Sequence, residues 1–357
     1  MKQSLHTARL AIKGLQTRAY SQSTTSAPRH LMTIGDLTPS EFTSLVRNAA
    51  ARKQSVKAGQ TPTQLSTSLS GQTVAMMFSK RSTRTRVSTE AAVKILGGHA
   101  MFLGKDDIQL GVNESLYDTS VVISSMTSCM VARVGPHSDV ATLAKHSSVP
   151  VINALSDDFH PLQTIADFLT IHEAFPSSSS SSSSSSGLGL NGLKVAWVGD
   201  SNNVLFDLAI GCVKSGVDIS VASPKGYGIP EHMRSLITSA AKGVVSPGTL
   251  TETTVPEEAI RNADILVTDT WISMGQEAEK QKRLKAFAGY QITNELATRG
   301  GAKEGWKFMH CLPRHQEEVA DEVFYSPRSL VFPEAENRLW AAVAALEGFV
   351  VNKGELE

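Results

Sequence analysis

Eight short apolar runs, interleaved with stretches long enough for helices, constrain this chain more than any other feature. TVAMMF, HAMFLG, CMVARV and PVINAL alternate with helical patterns such as TPSEFTSLVRNAAARKQ. After them come LKVAWVG, VDISVASP, ADILVTD and KFMHCLP, again separated by helix-length segments. Strands buried on both faces read as near-continuous apolar runs, and parallel neighbours need a crossover between them. The expected class is therefore α/β, with two parallel-sheet α/β domains and helices on both faces. A chain of 357 residues is long enough for two such cores. The break falls at PSSSSSSSSSSGLGLNG, where serines fill 177–186. That run has no apolar surface to bury and reads as a solvated, flexible insertion, 177–190, between domains at 31–176 and 191–333. The closing segment, 334–357, holds the helical pattern PEAENRLWAAVAALEGFV, whose apolar face suits packing on either domain.

The first 30 residues are of another kind. They carry Lys2, Arg9, Lys13, Arg18 and Arg29, while the first acidic residue is Asp36. Leu5, Ala8, Ile12 and Leu15 share one helical face, so 1–30 reads as a mitochondrial transit peptide directing the chain to the matrix. The remaining composition excludes several classes. Thirty-four basic and 34 acidic residues leave no net charge for broad attraction to nucleic acid or an anionic membrane. Cys129, Cys212 and Cys311 are too few and scattered for a disulfide framework or zinc ribbon. No apolar run reaches the roughly 18 residues of a membrane span.

The chemistry concentrates where strands hand over to helices. In FSKRSTRTRVSTE, the TVAMMF run ends, Val87, Ala91 and Ile95 repeat at helical spacing, and Gly97-Gly98 stops the helix. Lys80, Arg81, Arg84 and Arg86 thus crowd a helix N-terminus, whose dipole already favours negative charge. Free amides, the hydroxyls of Ser82, Thr83 and Thr85, and the Arg84 fork make a phosphate cradle. It is not a Walker loop, since the glycines and the G-K-[ST] triplet are missing. In VAWVGDSNNVLFDLAIG only Gly199 stands where a dinucleotide fingerprint needs three glycines, and the next strand ends at Ser223 rather than an acid. NAD binding is excluded on that ground. Asn202 and Asn203 lie at a strand's carboxyl end, suited equally to ligand binding and to capping the helix that follows.

Three further segments carry polar groups on turns. FHPLQTIADF places His160, Pro161 and Gln163 at the head of an apolar-periodic helix. TDTWISMGQ puts Asp269, Ser273 and Met274 on a loop after a strand, and MHCLPRH follows another strand with Cys311 and Leu312. His310, Cys311 and His315 fit neither C-x-x-C nor H-x-x-x-H spacing, so no metal is expected.

Taken in order, SKRSTRTR, LGVNES, HPLQ, DTWISMG, HCLP and FPEAENR resemble the ornithine carbamoyltransferases over nearly the whole chain after residue 30. STRTR and HPLQ suit carbamoyltransferases generally, whereas SMG and HCLP are more specific to ornithine. The resemblance implies that carbamoyl phosphate and L-ornithine become citrulline and phosphate, without cofactor or metal. It implies that Ser82, Thr83, Arg84 and Thr85 hold the phosphate. Arg133, His160 and Gln163 would grip the carbamoyl end, and Arg338 would complete the pocket from a C-terminal helix packed back on the first domain. Asn203, Asp269, Ser273 and Met274 would bind ornithine, with Cys311 and Leu312 beside it and the carbamoyl group. Gln109 would reach a neighbouring subunit's phosphate in a homotrimer. Arg84, Arg133, His160 and Cys311 are the implied catalytic set.

Overall fold

The computed structural model describes residues 27–108, 114–176, 187–272 and 279–356. Most of the leader, Gln109, the serine run, Ser273 and Met274 lie outside the described residues.

The alternation expected from the sequence becomes two all-parallel sheets. β1 (Thr73–Phe78), β2 (His99–Leu103), β3 (Cys129–Arg133) and β4 (Val151–Leu155) run in the order β2-β1-β3-β4. Alternate side chains of β1 enter different cores. Val74, Met76 and Phe78 face one layer of helices, while Ala75 and Met77 face another with Met130, Ala132 and Leu143. This is why Val74–Phe78, the fully buried part of the run, carries no polar residue.

The second sheet holds β5 (Lys194–Val198), β6 (Asp218–Ala222), β7 (Leu250–Thr253), β8 (Ile265–Val267) and β9 (Lys307–Met309), ordered β7-β6-β5-β8-β9. The sequence reading found four strands here and missed β7. Its LTET residues form an edge strand with no fully buried position, so no apolar run announces it. In the central β5, Val195 and Trp197 face one core and Ala196 and Val198 the other.

One core continues from the first sheet to the second. It includes Phe168 of the Pro161–Ala174 helix and Leu205, Leu208 and Cys212 of the Asn203–Lys214 helix. Gly211 permits their close approach, because a Cβ there would lie 2.7 Å from the Phe168 ring and 3.1 Å from Thr164. The C-terminal helix packs on the first domain, as the resemblance implied. It begins at Val331, three residues before the expected start, and the α-helix ends at Leu346 in a further turn over Glu347–Val351. Asn337 donates to Thr170 at 2.9 Å, and Arg52 pairs with Glu347. The first described segment is tied to this assembly, since Arg29 bonds Glu41 and the Gly354 carbonyl. Among the described residues, no helix is long and apolar enough to cross a membrane.

Candidate active site

Each sheet reverses its winding at one point. In the first sheet β1 and β3 are neighbours while β2 lies on the other side of β1, and in the second β5 and β8 are neighbours in the same sense. Loops leaving the carboxyl ends of such strands diverge and open a crevice, the usual ligand position in open α/β sheets. Phe78 of β1 is in register with Arg133 of β3, so the SKRSTRTR turn leaves the sheet beside Arg133. Trp197 of β5 pairs with Val267 of β8, bringing Asp200–Asn203 beside Thr268-Asp269. The two crevices share one cleft of about 1180 Å³.

The first wall is cationic. Thr83–Ile95 is helical, with Ser82 as its cap, the Ser82 hydroxyl accepting from the Thr85 amide at 3.3 Å. The amides of Thr83 and Arg84 keep no acceptor among the described residues, as expected at a helix start. The crowded basic side chains divide in two. Lys80 pairs with Asp157 at 2.9 Å, while Arg86 pairs with Glu90 and lies 3.8 Å over the Phe102 ring. Arg84 has no carboxylate partner among the described residues. Arg133 is buried with its Nε unpartnered. Arg338 donates to Gln163 Oε1 at 2.7 Å and to Thr85 Oγ1 at 3.2 Å. Burial pushes Arg133 down to about 10, and the charges of Arg338 and Arg84 add to the shift. Burial likewise brings Arg338 down to about 10, with Arg84 again opposing its charge. Three guanidiniums gathered in one cleft, none in direct contact with a carboxylate among the described residues and only Arg338 with acids nearby, at Asp167 and Glu334, form an anion site.

His160 caps the Pro161–Ala174 helix with its backbone, its amide donating to Asp207 at 2.8 Å. Its imidazole is buried and Nδ1 has no partner. Burial, then Arg338, Arg133 and Arg84, hold it well below the ordinary histidine range. The ring is therefore neutral at physiological pH.

The opposite wall is anionic and amide-rich. Asp269 is buried, accepting from Asn202 Nδ2 at 2.7 Å and from the Cys311 thiol at 3.1 Å. Asn202 caps its helix, accepting from Val204 and Leu205, and its side-chain amide donates to Asp269, so of the two roles weighed for it the capping one is observed. Asn203 reaches across to the Ser156 carbonyl at 2.6 Å. Burial and the neighbouring Asp269 keep the Cys311 thiol well above its ordinary range. Leu312, at φ 61 and before a cis peptide to Pro313, donates its amide to His310 Nδ1 at 2.9 Å. The other His310 nitrogen faces Glu318 at 3.0 Å. Asp269, His310 and Cys311 are close enough to hold a metal, but both imidazole nitrogens are already engaged.

The cleft thus gathers every described site residue named from the sequence. Three carboxylates, Asp207, Asp167 and Glu334, escaped that reading. Asp207 receives Thr33 Oγ1 at 2.6 Å, the Ile34 amide at 2.9 Å and the His160 amide. Asp167 and Glu334 both accept from Gln163 Nε2. Asp200 is pushed up to about 6 by burial, against its ion pair with Arg283 at 2.9 Å. Asp167 in TIADFL and Asp207 in VLFDLAI carried a legible signal, an acid inside an apolar-periodic helix.

Comparison with known proteins agrees with this geometry. Residues 29–173 match the carbamoyl-P binding domain of the aspartate/ornithine carbamoyltransferases, and 191–348 match their Asp/Orn binding domain. The mitochondrial ornithine carbamoyltransferase of Coccidioides immitis is 71% identical over 332 residues, covering 93% of this chain and 95% of the relative. The Schizosaccharomyces pombe mitochondrial enzyme is 57% identical, covering 92% and 96%. A crystal structure of the Coccidioides immitis protein superposes with a TM-score of 0.86 at 68% identity, over 93% of this chain and 100% of that one. The Pyrococcus furiosus enzyme gives 0.81 at 41%, over 91% and 98%.

Proposed function

The chain belongs to the aspartate/ornithine carbamoyltransferase family, and from that membership and its cleft we infer that it transfers the carbamoyl group of carbamoyl phosphate to the side-chain amine of L-ornithine. The products are L-citrulline and phosphate. The observation that carries this reading is the placing of three guanidiniums, Arg84, Arg133 and Arg338, across one cleft from the buried Asp269. An acidic leaving group suits the first wall and an aminated substrate the second. The enzyme works in mitochondria, consistent with its close relatives and its basic leader.

The free amides of Thr83 and Arg84, with the hydroxyls of Ser82 and Thr85, bind the phosphate. The Arg84 fork covers it. Arg133 and neutral His160 face the carbonyl oxygen, and Gln163 and Arg338 fix the carbamoyl end. Asn203 and Asp269 receive ornithine, with Ser273 and Met274 closing its site and Cys311 and Leu312 at the junction. As the amine attacks the carbonyl carbon, its C–N bond forms and negative charge moves onto the carbonyl oxygen. Each donor placed there contributes about 3–4 kcal/mol if it acts as an oxyanion donor. The C–O bond to phosphate then breaks, and the departing charge stays on the helix terminus. Holding both substrates in line contributes about 7–11 kcal/mol more.

Free ornithine has a side-chain pKa of about 10.4 and must lose a proton before attack. The cationic wall opposite favours that loss. Cys311 enters as a thiol donor to Asp269, because burial and that carboxylate oppose its ionisation.

The quaternary state fitting this site is a homotrimer in which Gln109 serves a neighbouring subunit. Its support is an apolar surface on the first domain. Met101 on edge strand β2 and Tyr117, Val121, Val122 and Met126 on the Leu116–Met126 helix are all exposed. These flank the segment that contains Gln109.

The test is citrulline formation by the chain without its leader, supplied with carbamoyl phosphate and ornithine, aspartate, acetylornithine or putrescine in turn. Turnover with ornithine alone is expected. Turnover with another acceptor in its place would overturn the substrate assignment.

A further inference from the structure

The Gln163 side chain is the most tightly specified amide in the cleft. Its Nε2 donates to Asp167 Oδ1 at 2.7 Å and to Glu334 Oε1 at 3.0 Å, while its Oε1 accepts from Arg338 at 2.7 Å. Both N–H bonds are thereby committed to carboxyl groups. A flipped amide would turn its oxygen onto two acids and its NH₂ onto a guanidinium, unfavourable at both ends. Asp167, Glu334 and Gln163 are all nearly fully buried, so water offers no alternative partner. Glu334 is itself fixed, since its Oε2 accepts from the His310 amide at 2.9 Å. One lone pair of Gln163 Oε1 remains without a donor among the described residues.

We propose that Asp167 and Glu334 make the site select a carbamoyl group over an acyl group, by locking Gln163 so that it offers only a hydrogen-bond acceptor. This rests on the reading of the site as a carbamoyltransferase. Carbamoyl and acetyl phosphate carry the same phosphate and carbonyl and differ in NH₂ against CH₃. Only the NH₂ can donate to the free lone pair of Gln163 Oε1. A methyl group there leaves a buried acceptor unsatisfied, the situation in which sites discriminate strongly between near-isosteres. Neither carboxyl group touches the reacting atoms, and both are positioning residues. Burial raises both carboxyl groups above the ordinary carboxylate range, and the charge of Asp167 adds to the rise at Glu334.

The experiment compares kcat/KM for carbamoyl phosphate with the inhibition constant of acetyl phosphate, competing against carbamoyl phosphate, in the intact enzyme and in Asp167→Asn and Glu334→Gln. A glutamine at 334 has one acceptor oxygen for two N–H donors, those of Gln163 and His310, so it frees the Gln163 amide to turn. Each variant is expected to weaken carbamoyl phosphate by about tenfold or more while acetyl phosphate inhibition moves less than about threefold. Equal weakening of both ligands would reduce the two carboxyl groups to structural supports and overturn the proposal. If the variants do not fold, the intact enzyme still decides. A preference for carbamoyl over acetyl phosphate of about tenfold or more supports the assignment, and parity overturns it. Normal citrulline formation with an unchanged ligand ratio in the variants refutes this inference alone, whereas absence of citrulline from the intact enzyme refutes the reaction reading beneath it.

Discussion

Replacing Asp207 with asparagine removes the joint between the two halves of the cleft. Asp207 belongs to the second domain's Asn203–Lys214 helix, yet its carboxylate accepts three hydrogen bonds from first-domain segments. Oδ1 takes the Thr33 hydroxyl and the Ile34 amide, and Oδ2 takes the His160 amide. If an asparagine keeps its oxygen on Thr33 and Ile34, its NH₂ meets the His160 N–H donor to donor. One stranded buried donor costs about 1–3 kcal/mol, and loss of charge assistance in the other two bonds adds about 1 kcal/mol. Urea unfolding at pH 8, above the raised value of Asp207 and with its carboxylate charged, should therefore show a loss of about 2–4 kcal/mol. Because the stranded bond sets the His160 backbone, the KM for carbamoyl phosphate should rise as well. Thr33→Val supplies the control. It removes one donor to Asp207 and the acceptor of the Gly35 amide, costs about 1–2 kcal/mol and leaves that KM unchanged. The pH dependence has a definite sign. Burial pushes Asp207 up to about 7, so between its unfolded value and 7 the folded chain holds a proton that the unfolded chain has lost. Stability from this group falls as pH rises through that window, and the gap between wild type and Asp207→Asn should narrow from about pH 5 to about pH 8. A variant with normal stability and normal carbamoyl phosphate KM would refute the joint, and a gap that widens with pH would refute the protonation argument.

Other outcomes follow from the same geometry. Arg338→Lys should raise the KM for carbamoyl phosphate by about 10–100-fold, because an ammonium cannot reproduce the fork shared by Gln163 and Thr85; a near-normal value from initial rates would count against Arg338 as a pocket residue. Cys311→Ser should leave the pH–rate profile in place, since the thiol already holds its proton; a displaced basic limb would give Cys311 a part in proton handling. Gly211→Ala should destabilise by about 1–3 kcal/mol in thermal or urea unfolding, as the added methyl meets the Phe168 ring; unchanged stability would mean the helices separate freely. His160→Gln should show no loss of an ionisation between about pH 6 and 9, because wild-type His160 is already neutral there; disappearance of a limb in that range would contradict it.

Much of the fold was legible because its strands are buried on both faces. TVAMMF and LKVAWVG have no polar alternation to confuse the reading, and each becomes a central strand. LTET was illegible for the converse reason, as an exposed edge strand needs no apolar face. The cationic wall could be read because arginines at a helix start require an explanation, though not every pairing could. Lys80 finds Asp157 in a distant segment, whereas the Arg86–Glu90 pair, four residues apart inside the motif, was the legible one. The supporting carboxylates were hidden more deeply. Asp207 and Glu334 acquire their roles only when segments 47 to 174 residues apart are packed together, while Asp167 meets Gln163 one helical turn away. What sequence displays there is only an acid within an apolar stretch.

The most direct test is a crystal structure of the chain with carbamoyl phosphate and an ornithine analogue lacking the side-chain amine. The account places the phosphate at Ser82–Thr85, the carbamoyl group among Arg133, His160 and Gln163, and the amino acid between Asn203 and Asp269. Phosphate bound elsewhere, such as the separate polar cavity lined by Lys194, Arg261 and Lys303, would contradict it.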